Sequence, residues 1–563
     1  YHCAGGADCN DLDPFVNGSA PEVCANGRDD NCDGVIDEAG CSVAHWDTCS
    51  DPLVLESGKT ESVTTTGASL DYPSSCVPTG VSTLHDIVGA IVVPDGPAQD
   101  LDVVARGAWG QLYVATAEQC ADASSELACR AAAPGATSGI VTRMIARALE
   151  PGSYPVYVYS DNAEPILVTA TLRDAAPKPS NETCGTAIPI EPGVPTTAEI
   201  LDAARDLATL CTAVPGELVY TFSLDEPQDV RVYAGSTDGI GNPVISLRDA
   251  SCVDASSELA CRSGTTPVIF ERALPAGTYY VAVSATAPSV VGVTVALSPA
   301  TQAPADETCV GSPSLAHGKT VSVTLEDHTD DVTSTCMANA ADAAYKLSLG
   351  VTSDVLLVGR ISQGDVGAVS LMGQSCGAGD LIACAMSSPS PVRVAKHALA
   401  AGTYKAVIET QKAGPTQLTA FVRKAEPPVY VLLADTCDDA QPIPPEGGFF
   451  QGNTSNATAQ YGAGCDQAGG PPAGAPEQML RLELQQPRRV VFDMRGSGYR
   501  TLLNVRKGPS CPGQELVASC AVGYYEQRSY LDLDLDPGTY FVQVDGFYGE
   551  TGPWFLDVYT AAP

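Results

Sequence analysis

The chain has 563 residues, enough for about four domains at roughly 150 residues each. Its 30 Lys+Arg stand against 67 Asp+Glu, a net charge of −37, which excludes binding to nucleic-acid phosphates or to anionic membrane surfaces. A hydrophobic share of 44% with 53 Gly and 42 Pro fits a loop-rich globular chain, and 21 cysteines point to an oxidising compartment, hence to a secreted or periplasmic protein.

The chain opens on an acidic module, expected over residues 1–45. Residues 1–48 carry Asp8, Asp11, Asp13, Glu22, Asp29, Asp30, Asp33, Asp37, Glu38 and Asp47 against one base, Arg28. So many carboxylates in a small cysteine-rich unit repel one another unless a cation joins them. In Asp29-x-Asn31-x-Asp33-Gly34-x-x-Asp37, oxygen ligands fall at positions 1, 3, 5 and 9 of a loop. Gly34 supplies the sharp turn at position 6 and the carbonyl of Val35 is available at 7, the arrangement of a calcium loop. Position 12, where a bidentate Glu is usual, is Gly40. Glu38, or a group from Asp8, Asn10, Asp11 and Asp13, must then complete the shell. The ligand set expected from sequence is therefore Asp8, Asn10, Asp11, Asp13, Asp29, Asn31, Asp33, Val35, Asp37 and Glu38. Hard oxygen donors select Ca2+.

The run Asp8-Cys9-Asn10-Asp11-Leu12-Asp13-Pro14, then Ala20-Pro21-Glu22-Val23-Cys24, then Asp29-Asp30-Asn31-Cys32-Asp33-Gly34-x-x-Asp37-Glu38 resembles the bacterial MopE-type metal-binding motif over about residues 3–41. That resemblance implies a secreted or cell-surface protein, and copper as well as calcium; His2 is the histidine at this end positioned to offer a copper ligand, and Ca2+ stays the first choice. Because the sequence starts at Tyr1 rather than Met and begins in this cysteine-rich stretch, further residues are expected upstream. Five cysteines here (Cys3, Cys9, Cys24, Cys32, Cys41) leave one to pair elsewhere.

The other sixteen fall into four sets: Cys49, Cys76, Cys120, Cys129; Cys184, Cys211, Cys252, Cys261; Cys309, Cys336, Cys376, Cys384; Cys437, Cys465, Cys511, Cys520. First-to-second separations are 27, 27, 27 and 28, and third-to-fourth are 9, 9, 8 and 9. Each set opens on an acid-Thr-Cys turn and closes on Leu-x-x-Gly-Ser/Thr-Tyr, ending at Tyr154, Tyr279, Tyr404 and Tyr540. Whole domains are thus duplicated, at 46–175, 176–300, 301–428 and 429–563. Alternation such as Tyr154, Val156, Val158 predicts half-buried strands, and the fold class is all-β: four tandem disulfide-stapled, jelly-roll-like β-sandwich domains after the small calcium-binding module. The charge-free stretch from Ala273 to Ala305 reads as two strands and a turn, because Pro and Gly punctuate it, and Ala203–Leu210 as at most a short helical insertion. Spacing suggests that Cys49 pairs with Cys76 and Cys120 with Cys129, with equivalents in each repeat; the other pairings of four cysteines stay open.

These repeats are similar to the bacterial pre-peptidase C-terminal (PPC) domain, through the acid-Thr-Cys opening, Glu217-Leu218-Val219-Tyr220 and the Leu-x-x-Gly-Thr-Tyr close. The resemblance covers about residues 46–563, with departures at His85-Asp86-Ile87-Val88 and Glu477-Gln478-Met479-Leu480. It implies binding, tethering or assembly without chemistry.

Catalytic signals do not add up to an enzyme. Gly373-Gln374-Ser375-Cys376-Gly377 matches a nucleophile elbow, but Ser375 sits beside a repeat cysteine, and the six histidines share no repeat position. The first two junctions are short, Pro-rich, stiff spacers. The third carries Val429-Tyr430-Val431-Leu432-Leu433, expected to pack within its own chain or to add to a sheet edge of another copy. Together these traits describe a secreted bacterial structural protein that forms a homo-oligomer or polymer, a fibre or surface layer. The alternatives are an adhesive array for glycan or a surface protein, the noncatalytic part of a larger secreted enzyme, or a copper-binding surface protein. Nucleic acid and membrane insertion are not expected.

Overall fold

The computed structural model describes residues 16, 18, 22, 29, 31–36, 45–78, 83–134, 139–207, 211, 216–332, 336–337, 340–363, 365–387, 390–432, 434–466, 475–523 and 528–563. The chain divides into two compact units, Tyr1–Gln302 and Ala303–Pro563. Among the described residues every helical segment is a three-residue 3-10 turn, and no helix is long and apolar enough to cross a membrane.

The first sandwich shows the plan. Its strands are β1 (Leu53–Leu55), β2 (Thr60–Val63), β3 (His85–Val93), β4 (Gln99–Gly107), β5 (Leu112–Ala117), β6 (Glu126–Ala131), β7 (Ala133–Pro134), β8 (Ile140–Leu149), β9 (Gly152–Ser160) and β10 (Ile166–Asp174). One sheet runs β1-β3-β9-β5-β6 and the other β2-β10-β4-β8-β7. Ile87, Ile91, Val156 and Val158 of the first sheet meet Leu101, Val103, Met144 and Val168 of the second. Each such side chain, fully buried, contributes roughly 1.5–3 kcal/mol. The other three repeats each form two sheets of four or five strands on the same scheme. The charge-free stretch resolves into the paired strands Gly277–Ala285 and Ser289–Pro299, as alternation requires. Residues 203–207 form no helix, so a helical insertion there is not supported over the described part.

The strands after the closing turn are not half-buried, as their alternation suggests. Val156, Tyr157, Val158 and Tyr159 are all buried, because the loop carrying the second cysteine folds over the outer face of the sheet. Tyr72, Val77 and Leu84 from that loop region cover Tyr113, Tyr157 and Tyr159.

A buried carboxylate clamps this loop in all four repeats. The N–H groups of Asp71 and Tyr72 donate to Asp86, those of Asp206 and Leu207 to Glu217, those of Asp331 and Val332 to Asp342, and those of Gln460 and Tyr461 to Glu477. The acid of each opening turn takes a second point on the same loop. Asp47 accepts from Ser69 N–H, Glu182 from Ala204, Glu307 from Thr329 and Asp435 from Thr458. The positions that look like departures from the repeat pattern, Asp86 and Glu477, therefore keep the acid that holds the loop. Burial pushes Asp86 and Glu477 up to about 7 and Asp342 to about 9, the last with help from the charges of Asp330, Glu409 and Asp331.

The disulfides correct the pairing suggested by spacing. First joins third and second joins fourth: Cys49–Cys120 and Cys76–Cys129, then Cys184–Cys252 and Cys211–Cys261, Cys309–Cys376 and Cys336–Cys384, Cys437–Cys511 and Cys465–Cys520. The reason lies in the β5–β6 connection. Cys129 stands opposite Ala115 in the ladder, whereas Cys120 lies in the turn beyond β5, so nine residues do not bring the two sulfurs across from each other. Cys129 instead ties the covering loop, through Cys76, to the edge strand.

At the third junction, Val429–Tyr430 pairs in parallel with Gly447–Asn453 of its own repeat. Val431 enters the core of the fourth sandwich, 4% exposed, whereas Val429, Tyr430 and Leu432 of the run stay exposed.

Within each unit, the two sandwiches meet through ion pairs and a small apolar contact. In the first unit, Arg143 of β8 bonds Asp102 at 2.6 Å and Asp238 of the second sandwich at 2.6 Å, and Arg147 bonds Asp100 at 2.7 Å and Asp202 at 2.9 Å. Val141, Ile240 and Ala287 close the contact. In the second unit, Arg393 bonds Asp493 at 2.7 Å and Arg360 bonds Asp532 at 2.6 Å. Arg423 spans Asp354 at 2.9 Å and Asp557 at 2.6 Å, while Leu356, Val358, Phe421, Val491 and Tyr559 pack between the sandwiches.

Candidate metal centre

Four of the ten ligands expected from sequence, Asp29, Asn31, Asp33 and Val35, lie among the described residues; Asp8, Asn10, Asp11, Asp13, Asp37 and Glu38 lie outside them. The described part is folded as a tight acceptor loop. The carboxylate of Asp29 takes N–H bonds from Asp33 at 3.1 Å and Gly34 at 2.8 Å. Asn31 Oδ1 accepts from Asp33 N–H at 2.9 Å, and Asp33 Oδ1 accepts from Val35 N–H at 2.9 Å. Gly34 sits at φ +93°, the left-handed region where a side chain is strained, which accounts for glycine at the turn.

The donors present fit a hard cation. Each carboxylate offers about four lone-pair sites, more than its backbone bonds use, and every donor in the loop is oxygen. If Ca2+ is held here, Asp29, Asn31 and Asp33 would supply side-chain oxygens and Val35 its carbonyl. Bound, the ion would neutralise the mutual repulsion of these acids. Among the described residues alone, no three His, Cys, Asp or Glu side chains converge on one point.

One residue at this site is missing from the set expected by spacing. Glu22 is 6% exposed, and its Oε2 accepts from Asn31 N–H at 3.1 Å, so it braces the loop from the preceding segment. Its place between the two acidic halves, in Ala20-Pro21-Glu22-Val23-Cys24, is the signal that could have found it. Cys32, within the loop, is disulfide-bonded, and its partner lies outside the described residues.

The nucleophile-elbow match has a different geometry from its motif. Ser375 donates its hydroxyl and its N–H to Asp380, and Cys376 is bonded to Cys309. Asp380 is the last residue of the short turn that leads into Leu381–Ser387.

Residues 8–38 match the family model Cu-binding_MopE, described as "Putative metal-binding motif". No curated protein matches the chain. Similar solved structures include a tandem CBM22-1-CBM22-2 domain from Paenibacillus barcinonensis, at 10% identity over 44% of this chain and 95% of that one, TM-score 0.13. A triple jelly roll from an archaeal virus aligns at 9% identity over 61% of this chain and 81% of that one, TM-score 0.12. Tripeptidyl peptidase 2 aligns at 7% identity over 90% of this chain and 39% of that one, TM-score 0.14. Scores this low carry no argument, and the sandwich architecture stands on the strand pairing itself. A metal-binding motif ahead of disulfide-rich β-sandwich repeats is consistent with a secreted structural or binding protein.

Proposed function

We propose that the chain is a secreted, noncatalytic structural protein of a bacterial surface, whose N-terminal loop holds Ca2+ and whose sandwiches assemble into an extracellular fibre or surface layer. The observation that supports this reading most is the fourfold stapled sandwich, in which two disulfides and two carboxylate clamps per repeat resist opening outside the cell. The eight bridges belong to an oxidising compartment. The all-oxygen loop of Asp29, Asn31, Asp33 and Val35 favours calcium over copper, which prefers softer donors.

Calcium is expected to raise the unfolding temperature of the N-terminal module. At a hundredfold excess over Kd the stabilisation is about 2.7 kcal/mol, and Asp29→Ala with Asp33→Ala should remove it. Calorimetry with and without chelator reads this directly. Negative-stain images of the purified chain in calcium are expected to show polymers. Separate single chains at all concentrations would overturn the assembly reading, and copper found by elemental analysis of native material would overturn the choice of ion.

A further inference from the structure

The two units solve the same docking problem with different side chains. Two residues before the closing Leu of β8 stands Arg147; two before the closing Leu of Val392–Leu399 stands His397. Both reach one carboxylate of their own sandwich, Asp100 or Asp354, and one of the next, Asp202 or Asp557. Asp100 and Asp354 are equivalent, since each accepts the N–H of the residue before that Leu, Ala148 or Ala398, at 2.9 Å. Arginine stays charged at every accessible pH, whereas histidine does not.

His397 Nδ1 lies 3.5 Å from Asp354, Nε2 lies 3.3 Å from Asp557, and the ring stacks on Phe449 of the fourth sandwich at 4.3 Å. Arg423 is the other cation between the same two carboxylates. A neutral His397 would leave two acids facing each other across the contact with Arg423 alone.

A second histidine of the third sandwich reaches the fourth. His317 Nδ1 accepts the N–H of Val422 at 3.0 Å, and Nε2 lies 3.0 Å from the carbonyl oxygen of Thr560. An acceptor at Nδ1 and a donor at Nε2 define the neutral ring. Protonation sets two N–H groups against each other at Val422 and adds charge beside Arg488. The ring packs edge-on to Phe421 and borders a cavity of the same interface, whose charged groups are Arg423, Lys424, Glu426, Glu446 and Arg488.

We propose that His317 and His397 make the contact between the third and fourth sandwiches pH-gated, closed near neutrality and loosened on either side, while the contact between the first and second sandwiches is not gated by histidine. His397 is raised to about 9, chiefly by its bonds to Asp354 and Asp557, so its contribution is complete below the ordinary value near 6.5 and is lost as pH rises through about 9. His317 is lowered, first by desolvation and then by Arg488, against the bond to Thr560. Its contribution is therefore present above about 6.5 and is lost as pH falls.

Hydrogen–deuterium exchange of the full oxidised chain, corrected for intrinsic rates, tests this from pH 5 to 10. Protection of the peptide spanning Pro553–Ala561 is expected to fall on the order of tenfold at each end of the range. His397→Arg should abolish the alkaline loss and His317→Gln, which keeps an acceptor and a donor, the acid loss. Arg147→His should create an alkaline loss around Asp202 and Asp238 that the wild type lacks. Buried Asp342 and Asp545 also ionise in the alkaline range, which is why the variants carry the test. Protection that is flat in pH, that falls equally in both variants, or that falls in both units of the wild type in step overturns the proposal.

Discussion

Removing the Cys211–Cys261 bridge by a double substitution to Ala is expected to destabilise the second sandwich by about 4 kcal/mol, from the chain entropy that a loop of this length regains. The bridge spans 50 residues of sequence and joins the covering loop to Glu258–Ser263, where Cys261 is fully buried. Calorimetry of the full chain should show one transition displaced to lower temperature, with the transitions of the other sandwiches unchanged. The carboxylate clamp at Glu217 still holds the loop at Asp206 and Leu207, so the sandwich should remain folded at moderate temperature. An unshifted calorimetric profile would show that the bridge contributes little beyond that clamp.

Glu258→Ala is expected to destabilise the second sandwich by up to about 3–5 kcal/mol, because it removes the ion-pair partner of a buried guanidinium whose remaining charge partner is Glu217. Arg248 is completely buried, and its ion pair with Glu258, at 3.2 Å, is as inaccessible. The guanidinium also bonds Ser246 Oγ at 3.1 Å and the carbonyl of Cys252 at 2.9 Å, so it links a strand to the bridged turn of the Cys184–Cys252 disulfide. Replacing both members, Arg248→Met with Glu258→Leu, should recover much of the loss, since the desolvation cost disappears with the charges. Urea denaturation of the wild type and these two variants distinguishes the cases. A single variant as stable as wild type would mean that water reaches Arg248.

Much of the architecture was readable from spacing. Sixteen cysteines in step with Leu-x-x-Gly-Thr-Tyr closes mark four repeats, and Val291, Val293 and Val295 alternate as the strand Ser289–Pro299 requires. The disulfide partners were not readable, because separation along the chain does not say that Cys120 sits in a turn and Cys129 within the ladder. The covering loop escaped for a related reason: Tyr157 and Tyr159 look like outward residues until the loop of Tyr72 and Val77 is placed over them. The clamp acids carried a weak signal, since Asp86, Glu217, Asp342 and Glu477 lie at varying distances from their second cysteines. At the candidate metal centre the loop from Asp29 to Val35 was legible from its DxNxDG pattern. Glu22 was legible only from its place between the two acidic halves, because its contact with Asn31 spans nine residues and follows no periodicity. The docking arginines were invisible in the same way: Arg143 and Arg393 occupy one strand position, but their partners Asp238 and Asp493 belong to the following sandwich.

The most direct test of the bracing scheme is peptide mass mapping of the oxidised chain without reductant. Digestion should yield linked peptides joining Cys49 to Cys120 and Cys76 to Cys129, with the same one-to-three and two-to-four pattern in every repeat. Links from Cys49 to Cys76 and from Cys120 to Cys129, or a majority of these sixteen sulfurs recovered as thiols from native material, would contradict it.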